Sequence, residues 1–139
     1  MKGGRVVEVT AEGAKLADGR FIEGNTPIWA TGAEAHAVTA ASDLDLMKNF
    51  FRVNKYLQST SHPNVFAGGD CITMEDYVDL PYPSKAGVYA VRAGPIIADN
   101  IVAYLEEKPL SEYVPQKTFL SLLMTGDGSC IGSRFDQAF

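Results

Sequence analysis

Short apolar runs separated by turn residues fill the first half of the chain. Residues 5–10 alternate and are rich in valine, and residues 14–22 place an Asp-Gly pair between two short runs typical of β-strands. This pattern predicts a β-meander. Three further runs, at residues 27–32, 50–57 and 64–70, have the apolar or aromatic content of short strands. The continuous apolar run that begins at residue 64 is typical of a buried parallel strand.

A helical pattern follows residue 83. Ser84 is the predicted N-cap, and small or apolar side chains then recur at helical spacing, which predicts one stripe that faces the sheet. The members of this stripe are Ala86, Ala90, Ala93, Ile97, Ile101 and Leu105. Pro95 cannot donate a helical hydrogen bond, so we expect a kink near Gly94. The helix should end by Lys108, because the next residue is a proline.

The remaining segments have weaker patterns. Residues 33–49 are rich in alanine and aspartate and predict a loop or a short helix, and residues 71–83 predict an acidic, irregular loop. Residues 118–125 and 130–135 predict two strands joined by the turn at 126–129. A lone hairpin is marginally stable in water, so we expect it to add to the preceding layers or to begin another unit, and we favour the second.

Composition narrows the class of protein. The chain has 139 residues, 46% of them hydrophobic, which suits a soluble globular domain with a real core. Its net charge of −5 argues against nucleic-acid binding. We expect no transmembrane segment and no signal peptide, and a cytoplasmic location follows as the default. The two cysteines, Cys71 and Cys130, form no Cys-x-x-Cys pair.

The end of the predicted strand at residues 64–70 is the strongest candidate for chemistry. In open α/β sheets ligands bind just beyond the carboxyl ends of the strands, where Gly68, Gly69 and Asp70 would lie. Two residues without a Cβ allow a bulky molecule to approach the backbone, and the Asp70 carboxylate can accept hydrogen bonds from sugar-type hydroxyls. The alternative is a strand that ends in an ordinary Gly-Gly-Asp turn.

Smaller signals favour structural roles. Cys71 has no nearby resolving cysteine, so we expect a small buried apolar residue rather than a redox thiol. His62 precedes a proline and is predicted to be solvated or capping. The acidic residues after Asp70 fit no established metal loop, so we predict no metal site. Trp29 is predicted to fill the core beside a strand, with a cofactor contact as the alternative.

Three stretches together resemble a known family. Residues 28–32 (Ile-Trp-Ala-Thr-Gly), residues 60–70 and the helix that begins near Pro83-Ser-Lys-Ala-Gly resemble the two-dinucleotide-binding-domain flavoproteins, the pyridine nucleotide-disulfide oxidoreductases. Residues 29–34, 61–65 and 85–92, with the last hairpin, are most similar to the NADH-dehydrogenase-like members linked with selenide, water dikinase. The implied fold class is α/β: the C-terminal part of an FAD/NAD(P)-binding Rossmann-like flavoprotein, with a β-meander, a core parallel strand, one long kinked helix and a C-terminal β-hairpin.

The resemblance also implies domains and site residues. Residues 1–33 would end an NAD(P)-binding domain, residues 34–113 would form the C-terminal part of an FAD-binding domain, and residues 114–139 would begin a C-terminal domain. Asp70, with Gly69 beside it, matches the carboxylate that binds the ribityl or pyrophosphate region of FAD. The helix start matches the element that faces the flavin pyrimidine oxygen. The implied cofactor-binding residues are Thr31, Gly32, Gly69, Asp70, Lys85, Ala86 and Gly87, with no catalytic residue.

The chain departs from the family pattern in one respect. It contains no Gly-x-Gly-x-x-Gly, so the loops that hold the FAD pyrophosphate and the NAD(P)H pyrophosphate are absent from the sequence. We therefore expect part of a longer FAD-dependent NAD(P)H oxidoreductase, in which this segment supplies one side of the flavin site and by itself holds FAD poorly. Unpaired sheet edges make a homo-oligomer plausible. The alternative is a non-enzymatic oligomerisation or interaction module built on the same part of the fold.

Overall fold

A computed structural model describes residues 4–135 and 137–139, and these divide between two compact units, Met1–Gly32 and Ala33–Phe139. The first unit contains the predicted meander. Strands β1 (Val6–Val9), β2 (Gly13–Leu16) and β3 (Phe21–Glu23) pair antiparallel in sequence order. The turn at Asp18 is held by Arg20, whose Nε donates to the Asp18 carboxylate over 2.8 Å.

Residues 27–32 do not form the predicted strand. No described strand pairs with them, so their backbone takes no part in a β-ladder. Trp29 is 67% exposed and Ile28 is 89% exposed, which makes the prediction of a core tryptophan wrong. A strand-like composition without a partner strand leaves the segment as an extended, exposed connection.

The second unit is built on a mixed sheet. Helix α1 (Ala37–Ala40) precedes strands β4 (Leu46–Met47) and β5 (Phe50–Val53), which form a hairpin whose two-residue turn, Lys48-Asn49, has positive φ at both positions. Strand β6 (Ile72–Met74) then pairs parallel to β5. This parallel pairing, with the helix that follows it, confirms the predicted α/β class.

The parallel strand does not lie at residues 64–70, where the apolar run predicted it. Phe66 makes only an isolated antiparallel bridge to Gln58, and Gly69–Cys71 forms a 3₁₀ turn. The parallel strand begins at Ile72, directly after this turn, because β5 is available beside Ile72–Met74 and no described strand flanks residues 64–68. A second 3₁₀ turn, Glu75–Tyr77, follows β6.

Helix α2 (Gly87–Leu105) covers the mixed sheet and runs through Pro95 without interruption. The N-cap is Ala86, which has the extended backbone of a cap residue. It lies two residues after the predicted N-cap, Ser84. The end of the helix before Lys108 is confirmed. The kink at Pro95 stays a prediction.

The buried face of α2 differs from the predicted stripe. Tyr89, Ala93 and Asn100 are buried, whereas Ile101 is 41% and Leu105 is 76% exposed. The helix is apolar on more than one face, so its periodicity alone did not select the face that meets the core. Ala93 packs into a cluster with residues of the sheet and its loops: Val53, Leu57, Ile72, Met74 and Tyr113.

Asn100 connects α2 to two loops. Its side chain is fully buried, and its Nδ2 donates to the carbonyl oxygens of Tyr56 and Ser111, each over 2.9 Å. Its Oδ1 accepts from the Ser111 N–H over 2.7 Å. One amide therefore satisfies three backbone groups from two separate loops.

The C-terminal hairpin is confirmed and extended by a third strand. Strand β7 (Ser121–Met124) pairs with β8 (Cys130–Arg134), and β8 pairs with the short β9 (Gln137–Ala138). Thr125 and Asp127 close the turn between β7 and β8, since the Thr125 Oγ1 donates to an Asp127 carboxylate oxygen over 2.5 Å. This sheet lies within the second unit.

We expect Asn100→Ala to lower the free energy of unfolding by about 3 kcal/mol, because three buried backbone groups lose their hydrogen-bond partner. Chemical denaturation followed by circular dichroism measures the change. Asp99→Ala is the matched control, since Asp99 is the preceding residue and is exposed. Equal stability of the two variants would contradict the role given to Asn100.

Candidate functional site

The Gly-Gly pair of the candidate site packs against α2. A Cβ added at Gly68 would lie 2.6 Å from the Ile97 Cδ1, and one at Gly69 would lie 3.2 Å from the Ala90 Cβ. Gly69 also has a φ of +79°, which favours glycine. The absence of side chains at both positions thus has a structural reason, which is the close approach of this turn to the helix.

The turn presents Asp70 at the surface. Asp70 is exposed, and its carboxylate has no hydrogen bond or ion pair with any described residue. The adjacent Cys71 is also exposed, with its thiol donating to the Gly68 carbonyl over 3.3 Å. The prediction that Cys71 is buried is wrong, because the 3₁₀ turn directs residue 71 outward and places Ile72 in the core.

The N-terminus of α2 has free backbone donors. Ala86 is the N-cap, and no side chain accepts a hydrogen bond there. The Tyr89 N–H donates to the Ala86 carbonyl over 3.0 Å, whereas the N–H groups of Gly87 and Val88 have no acceptor among the described residues. A Cβ at Gly87 would meet nothing within 4 Å, so this helix end opens onto free space. Such a terminus carries partial positive charge.

Lys85 lies directly before this helix end. Its Nζ donates to the Ile72 carbonyl and lies 3.8 Å from the centroid of the Phe50 ring. The side chain is half-buried, and burial lowers the pKa of its ammonium group, while the nearby Asp70 and Cys71 oppose that shift. Contacts with a carbonyl and an aromatic face hold the cation in one place.

The structure brings five of the seven predicted site residues into one region. Gly69 and Lys85 line the same cavity of about 20 Å³, the charge of Asp70 acts on Lys85, and Ala86 and Gly87 follow Lys85 in the chain. Thr31 and Gly32 are exposed residues of the first unit. Their part in a cofactor site stays a prediction.

Sequence reasoning missed the groups that hold Lys85. The sequence predicts only a strand at Phe50, and the aromatic pair at the start of that strand is the one available signal. The Ile72 carbonyl carried no signal, because a backbone acceptor depends on register rather than on residue type. Tyr89 and Tyr113, which line the same cavity as Lys85, were also missed.

The other candidate residues make hydrogen bonds and ion pairs that are typical of structural roles. His62 is partly exposed in a turn, where its Nδ1 lies 3.0 Å from the Ser61 Oγ and its Nε2 lies 3.5 Å from an Asp43 carboxylate oxygen. Glu75 of the acidic loop accepts from the Arg52 guanidinium over 2.9 Å. Among the described residues, no group of three acidic, histidine or cysteine side chains is arranged to hold a metal ion. Within the same part of the chain, no helix has the length and apolar character needed to cross a bilayer.

Comparisons with known proteins define the class. The family model of the pyridine nucleotide-disulphide oxidoreductases matches residues 1–94, and the chain therefore belongs to this family. It is 36% identical over 78 residues to ferroptosis suppressor protein 1 of Taeniopygia guttata and 37% identical over 78 residues to that of Homo sapiens. Each match covers 55% of this chain and 19% of the relative.

A solved structure shares the fold. The ferredoxin reductase for the CYP199A2 system from Rhodopseudomonas palustris is similar with a TM-score of 0.53 and 23% identity, over 86% of this chain and 30% of that protein. The chain thus spans less than a third of the length of that protein. The resemblance to the oxidoreductase family is confirmed, and the similarity extends to a Rossmann-like flavoprotein fold.

The family uses a flavin and a nicotinamide nucleotide, and the residues present suit a flavin. Asp70 offers an unpaired acceptor, as ribityl hydroxyls require. Lys85 and the free N–H groups at the start of α2 offer positive charge and donors, as the pyrimidine oxygens of a flavin require.

Lys85 supports a prediction about pH. Because its pKa is lowered in the folded protein, the charged form is disfavoured there, and its contribution to stability rises as pH increases through the folded pKa towards the ordinary value of 10.5. We expect the difference in unfolding free energy between the natural protein and Lys85→Met to move in favour of the natural protein from neutral pH to about 10.5. Urea denaturation of both proteins over this range measures it. A difference that stays constant or falls would contradict the desolvation of Lys85.

Proposed function

We propose that this chain forms one side of the flavin site in an FAD-dependent oxidoreductase that takes hydride from NAD(P)H. The observation that carries the proposal is the placement of an unpaired carboxylate, Asp70, close enough to Lys85 for its charge to act on that ammonium group, beside a helix N-terminus with free N–H groups. The Asp70 carboxylate accepts hydrogen bonds, and the Lys85 ammonium and the helix N–H groups donate them. A flavin with a ribityl chain needs both.

Each residue has an assigned task. Asp70, with the Gly69 backbone beside it, accepts hydrogen bonds from the ribityl or pyrophosphate region. Lys85, Ala86 and Gly87 face the pyrimidine oxygens, where a helix N-terminus stabilises negative charge by about 0.3–1 kcal/mol. The flavin itself supplies the hydride chemistry, and these residues orient it and balance its charge. Thr31 and Gly32, which lie in the first unit, stay cofactor-binding residues predicted from the sequence.

The chain supplies only part of such a site. It contains no Gly-x-Gly-x-x-Gly, and it matches 19% of each ferroptosis suppressor protein and 30% of the ferredoxin reductase. By itself it is expected to hold FAD weakly and to lack activity. Membership of the subgroup linked with selenide, water dikinase and a cytoplasmic location both stay predictions from the sequence.

We expect a longer protein, in which this segment follows a strand, a Gly-x-Gly-x-x-Gly loop and a helix, to purify with bound FAD. In that protein Asp70→Asn should lower the affinity for FAD about ten-fold, because a charge-assisted hydrogen bond is worth about 1.5–3 kcal/mol. Asp79→Asn is the matched control, an acidic residue of the nearby loop outside the site. The flavin content is read from absorbance and the affinity from fluorescence quenching.

A colourless longer protein that ignores added FAD would overturn the proposal. Equal FAD affinity of Asp70→Asn and Asp79→Asn would overturn the task given to Asp70. Stoichiometric FAD on the 139-residue chain alone would contradict the statement that it supplies only part of the site.

A second candidate function is self-association. Helix α2 has a second apolar stripe opposite its buried face, formed by Val91, Pro95, Ala98, Val102 and Leu105, all of them exposed. The spacing of four and three residues is that of a helix seam that packs against another helix. In an antiparallel pair centred on Ala98, Val102 would face Gly94 of the second copy, where no Cβ is present and the space is open.

We expect the chain to form a dimer that Val102→Lys converts to a monomer, because the substitution places a charge in an apolar seam. Val114→Lys is the matched control, since Val114 is 72% exposed and lies outside α2. Analytical ultracentrifugation at several concentrations measures the state. A monomeric natural chain, or the same oligomer for both variants, would exclude this interface.

A further inference from the structure

A groove of about 370 Å³ lies between the segment that leads into α2 and the strands β7 and β8. Its walls combine two basic side chains, Lys117 and Arg134, with hydroxyl groups and aromatic rings. The groove is large enough for a small organic molecule. Its basic side chains belong to the C-terminal part of the second unit, whereas Ser84 and Tyr89 also line the cavity that contains Lys85.

The charges of the groove are unbalanced. Lys117 and Arg134 form no ion pair with any described residue, whereas Arg52, Lys55 and Lys108 each pair with a glutamate. None of the described residues that line the groove has a carboxylate. In a chain whose net charge is −5, two unpaired cations beside one groove attract an anion there.

Aromatic contacts fix the shape of the walls. The Tyr89 and Phe119 rings meet edge to face with centroids 5.7 Å apart, and the Tyr89 hydroxyl donates to the Gln116 carbonyl over 3.2 Å. The Arg134 guanidinium lies 4.8 Å from the centroid of the Phe135 ring. The arginine is thus held by a flat ring at the edge of the groove, with its donors left for a ligand.

The hydroxyl groups add donors close to the cations. Thr118 and Ser133 line the groove next to Lys117 and Arg134 in the sequence, and no described side chain or backbone group accepts a hydrogen bond from either hydroxyl. A carboxylate accepts through two oxygens and suits a planar guanidinium and nearby hydroxyls. The rings of Tyr89 and Phe119 provide an apolar wall for a flat body attached to that carboxylate.

We infer that this groove binds a small aromatic carboxylate, with its carboxylate at Lys117 and Arg134 and its ring against Tyr89 and Phe119. The test is a titration of the 139-residue chain with benzoate, followed by NMR of the backbone amides and by calorimetry. Binding is measured without FAD, so its outcome is separate from that of the flavin site. Benzamide keeps the ring without the charge, and inorganic phosphate keeps the charge without the ring.

Benzoate should bind saturably, and the shifted amides should be those of residues 89, 117–121 and 133–135. Arg134→Gln and Lys117→Gln should each weaken benzoate about ten-fold, because each removes a charge-assisted contact. Lys15→Gln is the control, an exposed lysine on β2 of the first unit, and it should leave the affinity unchanged. Benzamide and phosphate should both bind about ten-fold more weakly than benzoate.

Three results would overturn the inference. Absence of saturable benzoate binding would exclude the site. Equal binding of benzamide would exclude the role of the cations, and equal binding of phosphate would exclude the role of the rings. Unchanged benzoate affinity in Arg134→Gln and Lys117→Gln, with circular dichroism showing that both variants are folded, would place the ligand elsewhere.

Discussion

The buried carboxamide of Asn100 is the interaction on which the second unit depends. It joins α2 to the turn that contains Tyr56 and to the segment that contains Ser111, with all three of its hydrogen bonds between 2.7 and 2.9 Å. The apolar cluster of Val53, Leu57 and Ala93 lies on the same side of the helix. A polar group removed from water needs partners of defined geometry, so this amide fixes the rotation of the helix more strictly than apolar contacts do.

The rotation of α2 in turn sets the geometry of the candidate site. With Ala93 and Ile97 turned towards the sheet, the helix meets the turn at Gly68, where a Cβ would lie 2.6 Å from Ile97. Asp70 follows that contact and is exposed, while Lys85 is held over the Phe50 ring. A carboxylate, an ammonium group and free helix N–H groups are thereby collected by packing rather than by direct bonds among themselves.

The same rotation leaves apolar surface exposed. On α2, Val91 and Leu105 are each 76% exposed. Separately from α2, Leu123 and Met124 on β7 are 65% and 69% exposed. A helix that is apolar around most of its circumference is usually covered on more than one side. The chain spans less than a third of the solved relative, and exposed apolar faces of this kind are typical of surfaces that meet another element or another chain.

The sequence by itself determined the meander, the long helix, the last hairpin and the family, because turn residues, helical spacing and sequence motifs are local properties of the chain. It also predicted Asp70 and the start of α2 as parts of a cofactor site, which stays a prediction. Only the tertiary structure decided that residues 64–68 form no strand, that Asn100 rather than Ile101 or Leu105 is buried, and that Phe50 and the Ile72 carbonyl hold Lys85. A strand needs a neighbouring strand, and a helix that is apolar on several sides needs a polar anchor to select one of them. Both are relations between distant segments, so no local pattern contains them.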